Sequence, residues 1–162
     1  MAGLEDLYRE IILDHYRSPR NRGELETPPA TRTEGFNPLC GDEIVVYLQL
    51  GDGEGDARVI ENIRIGGQGC SISQSSASMM SSAVKGKTIA EARELMRAFK
   101  AMMSIHETSL EDGEEQPIEV TTELNLGDLD ALRGVVKFPV RIKCATLSWN
   151  TLDQGISEAL EG

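Results

Sequence analysis

The chain has 162 residues, 40% of them hydrophobic and only 4% aromatic, which predicts one globular domain with an aliphatic and methionine-rich core. Its formal net charge of −11 argues against a nucleic-acid partner, because phosphate recognition needs clustered Lys and Arg. The sequence contains no apolar run of membrane-spanning length and does not begin like a signal peptide, so we expect a cytoplasmic protein without membrane contacts.

The N-terminal half is predicted to contain one helix followed by two strands. Apolar residues recur at helical spacing from Leu4 to Tyr16, and Ser18-Pro19 is expected to end this helix. Residues 21–30 should be irregular. Alternating apolar residues then predict strands at Ile44 to Leu50 and at Val59 to Ile65, paired as a hairpin across the turn sequence GDGEGD.

The C-terminal half is predicted to be helical. Ser71-Ile-Ser-Gln74 and Thr88-Ile-Ala-Glu91 both have the form of a capping box, which begins a helix. Pro139 suits the first position of a final helix. The apolar faces expected for the last two helices are Ile89, Ala92, Leu95, Met96, Phe99, Met102 and Met103, and Ala145, Trp149, Leu152, Ile156 and Leu160. Helix, strands and then helices indicate an α+β domain over residues 1–162.

An acidic segment interrupts this helical half. Residues 101–132 contain nine Asp and Glu and no Lys or Arg, and they supply most of the net negative charge. We expect residues 106–126 to form an exposed acidic insertion loop within the domain, with a short helix near Asp128. The loop is either solvated without a partner or a docking edge for a basic surface, and both interpretations stay open.

The three cysteines are the main candidates for chemistry. An odd number in a protein expected in the reducing cytosol argues against a disulfide framework. Cys40 and Asp42 flank a glycine, so in extended backbone a thiolate and a carboxylate would point to the same side. Cys70 precedes a predicted helix start, and Cys144 follows two basic residues, and both settings favour a thiolate. The alternative is that each cysteine is a small buried apolar residue.

Other residues with possible chemistry have simpler interpretations. His15 is expected to serve packing or the surface, and His106 lies at the entry of the acidic loop. Either could be a ligand, although nothing local favours it, and Trp149 is expected in the core. Gly86-Lys87-Thr88 resembles the end of a phosphate-binding loop, but position 81 is Ser where that motif requires Gly. We therefore reject a nucleotide site.

Three motifs carry a resemblance to a known family. NPLCGD at residues 37–42, GQGCSIS at 67–73 and FPVRIKCATLSW at 138–149 closely resemble the IscU-type family of iron–sulfur assembly proteins. The nearest match within that family is its SufU branch. The resemblance extends over nearly the whole chain.

The resemblance implies a fold and a site. The family has a small three-stranded antiparallel sheet with helices packed on one side. The residues that match its metal ligands are Cys40, Asp42, Cys70 and Cys144. In the SufU branch the metal is zinc, and the residue matching Cys40 accepts persulfide sulfur from a SufS-type cysteine desulfurase, a pyridoxal-phosphate enzyme. The sulfur then serves downstream iron–sulfur assembly machinery.

The resemblance also leaves rival functions. The classical branch is a scaffold that assembles a transient iron–sulfur cluster on the same ligands, and it has His where this chain has Lys143. That difference favours the zinc-bound sulfur acceptor. A purely structural zinc domain is disfavoured by Asp42, because structural zinc sites mainly use Cys and His. Three thiolates and a carboxylate would leave zinc with a negative net charge, which Arg141 and Lys143 could offset.

Overall fold

The computed structural model describes residues 4–27, 30–38, 41–111, 128–129, 131–132, 135 and 139–161. Within these residues, no helix is both long and apolar enough to cross a membrane. The elements in chain order are α1 (Leu4–Arg17), β1 (Thr31–Asn37), β2 (Asp42–Leu50), a short 3-10 helix (Gly55–Ala57), β3 (Ile60–Gln68), α2 (Ser71–Val84), α3 (Ile89–Glu111) and α4 (Pro139–Glu161).

The three strands form one antiparallel sheet in the order β1-β2-β3. Ile44, Val46 and Leu48 of β2 alternate toward one face, and all three are buried. Helices α2 and α4 contact the sheet, and these residues belong to the same hydrophobic core as the apolar residues of both helices. The predicted α+β class, the hairpin and the three-stranded antiparallel sheet are confirmed.

The edge strand β1 was not predicted from the pattern of its own residues. Its large apolar residue, Phe36, points away from the core and is 60% exposed, whereas the inward positions carry Thr33, Gly35 and Asn37. A Cβ at Gly35 would collide with Thr151 Oγ1 of α4. The strand therefore packs on α4 through a small residue, which leaves no apolar alternation to recognise.

The helix starts differ in how well they were predicted. The capping box at Thr88 is confirmed, because Thr88 N donates to Glu91 Oε1 and Glu91 N donates to Thr88 Oγ1, both at 3.1 Å. The capping box at Ser71 is wrong by one residue. Cys70 is the N-cap of α2, and its Sγ accepts from the backbone N–H of Ser73 at 3.5 Å.

The predicted apolar faces of α3 and α4 lie in the core. Phe99 of α3 stacks on Trp149 of α4 with ring centroids 5.3 Å apart, and both rings are fully buried. Helix α3 continues to Glu111, so residues 106–111 are helical where the sequence predicted the beginning of a loop. Residues 112–127 lie outside the described part of the chain, and the acidic insertion as a whole stays a prediction.

His15 joins three parts of the structure. It is only 2% exposed, and its Nδ1 lies 2.8 Å from Ser78 Oγ of α2 while its Nε2 lies 2.8 Å from Asp128 Oδ2. Ser78 Oγ also accepts from the backbone N–H of Arg20, in the segment after α1. The imidazole therefore connects α1 and α2 with the 3-10 turn at Asp128. Sequence reasoning left packing and surface roles open for His15, and the structure assigns it to packing.

Replacing His15 should destabilise the protein. His15→Ala removes one buried and one partly buried hydrogen bond and opens a cavity, which we expect to cost about 2–3 kcal/mol of unfolding free energy. For a chain of this size, that corresponds to a melting temperature lowered by roughly 5–10 °C. Differential scanning calorimetry measures the shift. Glu10→Ala, at an exposed position of the same helix, is the control and should leave the melting temperature nearly unchanged. Equal melting temperatures for both variants would contradict this role of His15.

Candidate metal centre

Three potential metal ligands come together at one end of the sheet. Asp42, Cys70 and Cys144 each offer one ligand atom, and these atoms all lie within 4.8 Å of one another. Asp42 is the first residue of β2, Cys70 caps α2, and Cys144 lies in the second turn of α4. The ligands thus come from three elements that are far apart in the sequence.

The carboxylate of Asp42 is fully buried and is held by the start of α2. Its Oδ1 accepts the backbone N–H of Cys70 at 2.9 Å, and its Oδ2 lies 3.9 Å from Cys70 Sγ. A carboxylate removed from water is costly unless it is hydrogen-bonded or paired with a cation. Gly69 makes the approach possible, because a Cβ there would collide with Asp42 Oδ1 and lie 2.7 Å from Ser73 Oγ.

Cys70 occupies the helix terminus that the sequence predicted for it. Its Sγ takes the place of the usual Ser or Asp oxygen at an N-cap and accepts the backbone N–H of Ser73. The partial positive charge at the N-terminus of the 14-residue helix α2 therefore lies next to this sulfur. Because Cys70 is partly exposed, it can be reached from solvent.

Cys144 is fully buried, and two contacts fix its surroundings. Asn37 Nδ2 donates a hydrogen bond to Cys144 Sγ over 3.9 Å. Ser76 Oγ of α2 donates to the carbonyl of Ala145, the next residue, at 2.6 Å. Arg141 and Lys143 are exposed, and the suggestion that they offset the charge of a metal site stays a prediction.

Cys40, the fourth predicted ligand, lies outside the described residues. Its neighbour Gly41 is in a turn with a φ of +69°, so the extended backbone assumed for Cys40 and Asp42 is wrong at this glycine. Chain geometry still limits the separation of residues 40 and 42, because two residues span at most about 7 Å between Cα atoms. The assignment of Cys40 as a ligand remains a prediction.

The donors present fit zinc. A tetrahedral zinc ion with bonds of about 2.0–2.3 Å to oxygen and sulfur places its donors roughly 3.3–3.8 Å apart. Cys70 Sγ and Asp42 Oδ2, at 3.9 Å, are already close to that separation. The remaining donor distances, all below 4.8 Å, need to shorten by only on the order of 1 Å.

Sequence reasoning missed the residues that support these ligands. Asn37 belongs to the NPLCGD motif but received no role, because β1 was not recognised as a strand. Its register opposite Asp42 would have placed it beside the site. Ser76 is one of several serines in α2, and only its contact with α4 distinguishes it.

The close contact at Gly69 generates a testable prediction. Gly69→Ala should displace Asp42 Oδ1 and break its hydrogen bond to Cys70 N, so we expect at least a tenfold loss of Zn²⁺ affinity in competition with a chromophoric chelator. Gly66→Ala is the matched control, because its new Cβ would meet only Val45 Cβ at an ordinary 3.8 Å. Equal affinity of the two variants would show that Gly69 does not position Asp42.

Comparison with known proteins places this arrangement in a family. The chain matches the model of the NifU-like N terminal domain over residues 7–145. It is 42% identical to the zinc-dependent sulfurtransferase SufU of Bacillus subtilis, over 97% of this chain and 94% of the relative. It is 36% identical to the iron–sulfur cluster assembly scaffold protein IscU of Streptococcus pyogenes, over 98% of this chain and 88% of that protein.

A solved structure supports the same relationship. It is a Fervidobacterium islandicum protein described as a candidate iron–sulfur cluster assembly scaffold for the SUF system. It superposes with a TM-score of 0.71 and 32% identity, covering 95% of this chain and 99% of that protein. Because the family model and near full-length relatives agree with the fold and with the grouped ligands, this chain belongs to the NifU-like N-terminal domain family.

Proposed function

We propose that this protein is a zinc-dependent sulfur acceptor for iron–sulfur cluster assembly, which takes persulfide sulfur from a SufS-type cysteine desulfurase. The observation that carries the proposal is the convergence of Asp42, Cys70 and Cys144 within 4.8 Å. The name of the Bacillus subtilis relative, a zinc-dependent sulfurtransferase, supports both the metal and the reaction.

The metal site in this proposal consists of Cys40, Asp42, Cys70 and Cys144. Bound zinc would keep the cysteines as thiolates and hold three distant segments together. The chain's own contributions are the two N–H groups at the start of α2, which donate to Asp42 Oδ1 and Cys70 Sγ, and the amide of Asn37 at Cys144. Asp42 is the hardest and weakest zinc donor of the four and therefore the least committed to the metal.

Sulfur transfer is assigned to Cys40. Its thiolate attacks the terminal sulfur of a persulfide on the desulfurase, a new S–S bond forms on Cys40, and the bond to the desulfurase cysteine breaks. The electron pair of that bond leaves with the desulfurase thiolate, so the exchange needs no external oxidant or reductant. Gly41 has a positive φ and open space around it. The backbone next to Cys40 can therefore adopt conformations that a residue with a side chain would disfavour.

Two exposed apolar residues support docking of a protein partner beside the site. Phe36, 60% exposed, precedes Asn37 on β1, and Val140, 63% exposed, lies one helical turn before Cys144. Apolar side chains of this size gain free energy when a partner covers them. They suit a desulfurase that must bring its persulfide to this end of the sheet. We place this exchange in the cytoplasm, where it supplies downstream iron–sulfur machinery.

The second candidate function is a scaffold that assembles a transient iron–sulfur cluster on the same ligands. Thiolates bind iron as well as zinc, and the Streptococcus pyogenes relative carries the scaffold name. Lys143 before the last cysteine, in place of a potential His ligand, favours the sulfur acceptor.

The metal content distinguishes these functions. We expect protein purified aerobically to contain close to one zinc per chain and to be colourless, as measured by elemental analysis and absorption spectroscopy. Complete removal of zinc should clearly lower the melting temperature, because the metal joins β2, α2 and α4. Brown protein with stoichiometric iron and sulfide would support the scaffold, and an unchanged melting curve after chelation would refute the structural contribution of the metal.

The position of the transferred sulfur tests the assignment of Cys40. After reaction with the desulfurase and cysteine, peptide mass spectrometry should find the persulfide on Cys40. Cys40→Ser should lose sulfur acceptance while keeping the fold. Cys70→Ser and Cys144→Ser should lose both zinc and activity, and Asp42→Ala should weaken both. A persulfide mainly on Cys70 or Cys144, together with an active Cys40→Ser variant, would overturn the assignment.

A further inference from the structure

Asn37 presents a buried amide to one cysteine of the site. The residue is 7% exposed, and its Nδ2 donates to Cys144 Sγ over 3.9 Å. Cys70 Sγ accepts a backbone N–H from its own helix, and Cys144 Sγ accepts this side-chain N–H from β1.

The position of Asn37 is set by the sheet and by α4. Its Cα pairs with that of Asp42 across the β1–β2 ladder, so the amide and the carboxylate share the inward face at the same end of the sheet. Two residues earlier, Gly35 packs so closely on Thr151 that β1 cannot approach α4 further. The packing of β1 therefore sets the distance from which the Asn37 amide reaches Cys144.

An N–H directed at a thiolate withdraws charge from the sulfur. The sulfur then becomes a poorer nucleophile, and its orientation toward the other ligands is fixed by the hydrogen bond. Cys144 combines this hydrogen bond with complete burial in α4. Both features suit a ligand that stays on the metal while another cysteine accepts sulfur.

We infer that Asn37 is a positioning residue that holds Cys144 as the permanent metal ligand and suppresses its reactivity, which leaves sulfur acceptance to another cysteine. The part of this inference that concerns sulfur acceptance rests on the proposed function. The hydrogen bond itself can be tested without the desulfurase.

The test replaces the amide by groups that lack the N–H donor. Asn37→Asp keeps the shape and places a carboxylate against the thiolate, and Asn37→Ala removes the donor without adding charge. Both should lower Zn²⁺ affinity, by about 10- to 100-fold for Asn37→Asp. In the Co²⁺-loaded protein, the thiolate-to-cobalt charge-transfer band of Asn37→Ala should move to longer wavelength, because the sulfur regains charge.

Thr33→Val is the matched control. Thr33 lies on the same strand and the same face, is also buried, and donates to Glu158 of the same helix α4 at 3.0 Å. Its replacement loosens the contact between β1 and α4 without touching a ligand, so Zn²⁺ affinity and the cobalt band should remain those of the wild type. An equal change in Thr33→Val would attribute the effect to strand packing and overturn the inference.

Alkylation of the metal-free proteins separates this inference from the proposed function. With iodoacetamide at a pH high enough to ionise both thiols in every variant, and with peptide mass spectrometry, the labelling rate of Cys144 relative to Cys70 should rise several-fold in Asn37→Ala and not in Thr33→Val. This result would support the hydrogen bond even if the wild type failed to accept sulfur. Unchanged labelling together with an unchanged cobalt band would overturn the inference even if sulfur transfer were demonstrated. Should Asn37→Asp fail to fold, Asn37→Ala carries the same expectations.

Discussion

The buried carboxylate of Asp42 is the constraint on which this end of the molecule depends. A carboxylate out of contact with water must find hydrogen-bond donors or a cation, and Asp42 finds its donor in the backbone N–H of Cys70. That contact requires the chain to arrive at α2 through Gly69, where a side chain would not fit. Asp42 therefore couples the start of β2 to the start of α2. A metal cation would balance the negative charge of the carboxylate that the hydrogen bond from Cys70 N–H does not neutralise.

Helix α4 is joined to this pair by different interactions. Ser76 links it to α2, Gly35 allows β1 to pack closely against it, and Asn37 reaches its cysteine. These contacts involve no metal ligand other than Cys144, so the protein packing alone brings the third donor close to the first two. Binding of the metal then closes a site whose three described donor atoms already lie within 4.8 Å of one another.

The sequence predicted those helices and strands in which buried apolar residues recur at the regular spacing of a helix or a strand. Helices α3 and α4 and the hairpin β2–β3 each carry a regular apolar face, whereas β1 packs through Thr33, Gly35 and Asn37 and shows no such face. The residue types identified Asp42, Cys70 and Cys144 as potential ligands. Their convergence on one site was expected only from the family resemblance, because they are too far apart in the sequence to form a local metal-binding motif. The partners of His15 are 63 and 113 residues away, a relation that only the folded chain reveals.

The contact between His15 and Asp128 also bears on how relatives of this chain can differ in length. Helix α3 ends at Glu111, and the chain is anchored again at Asp128 before it enters α4. Asp128 is held against His15 whatever the number of residues between positions 111 and 128. A relative that keeps this contact can therefore differ in that number without moving Cys144.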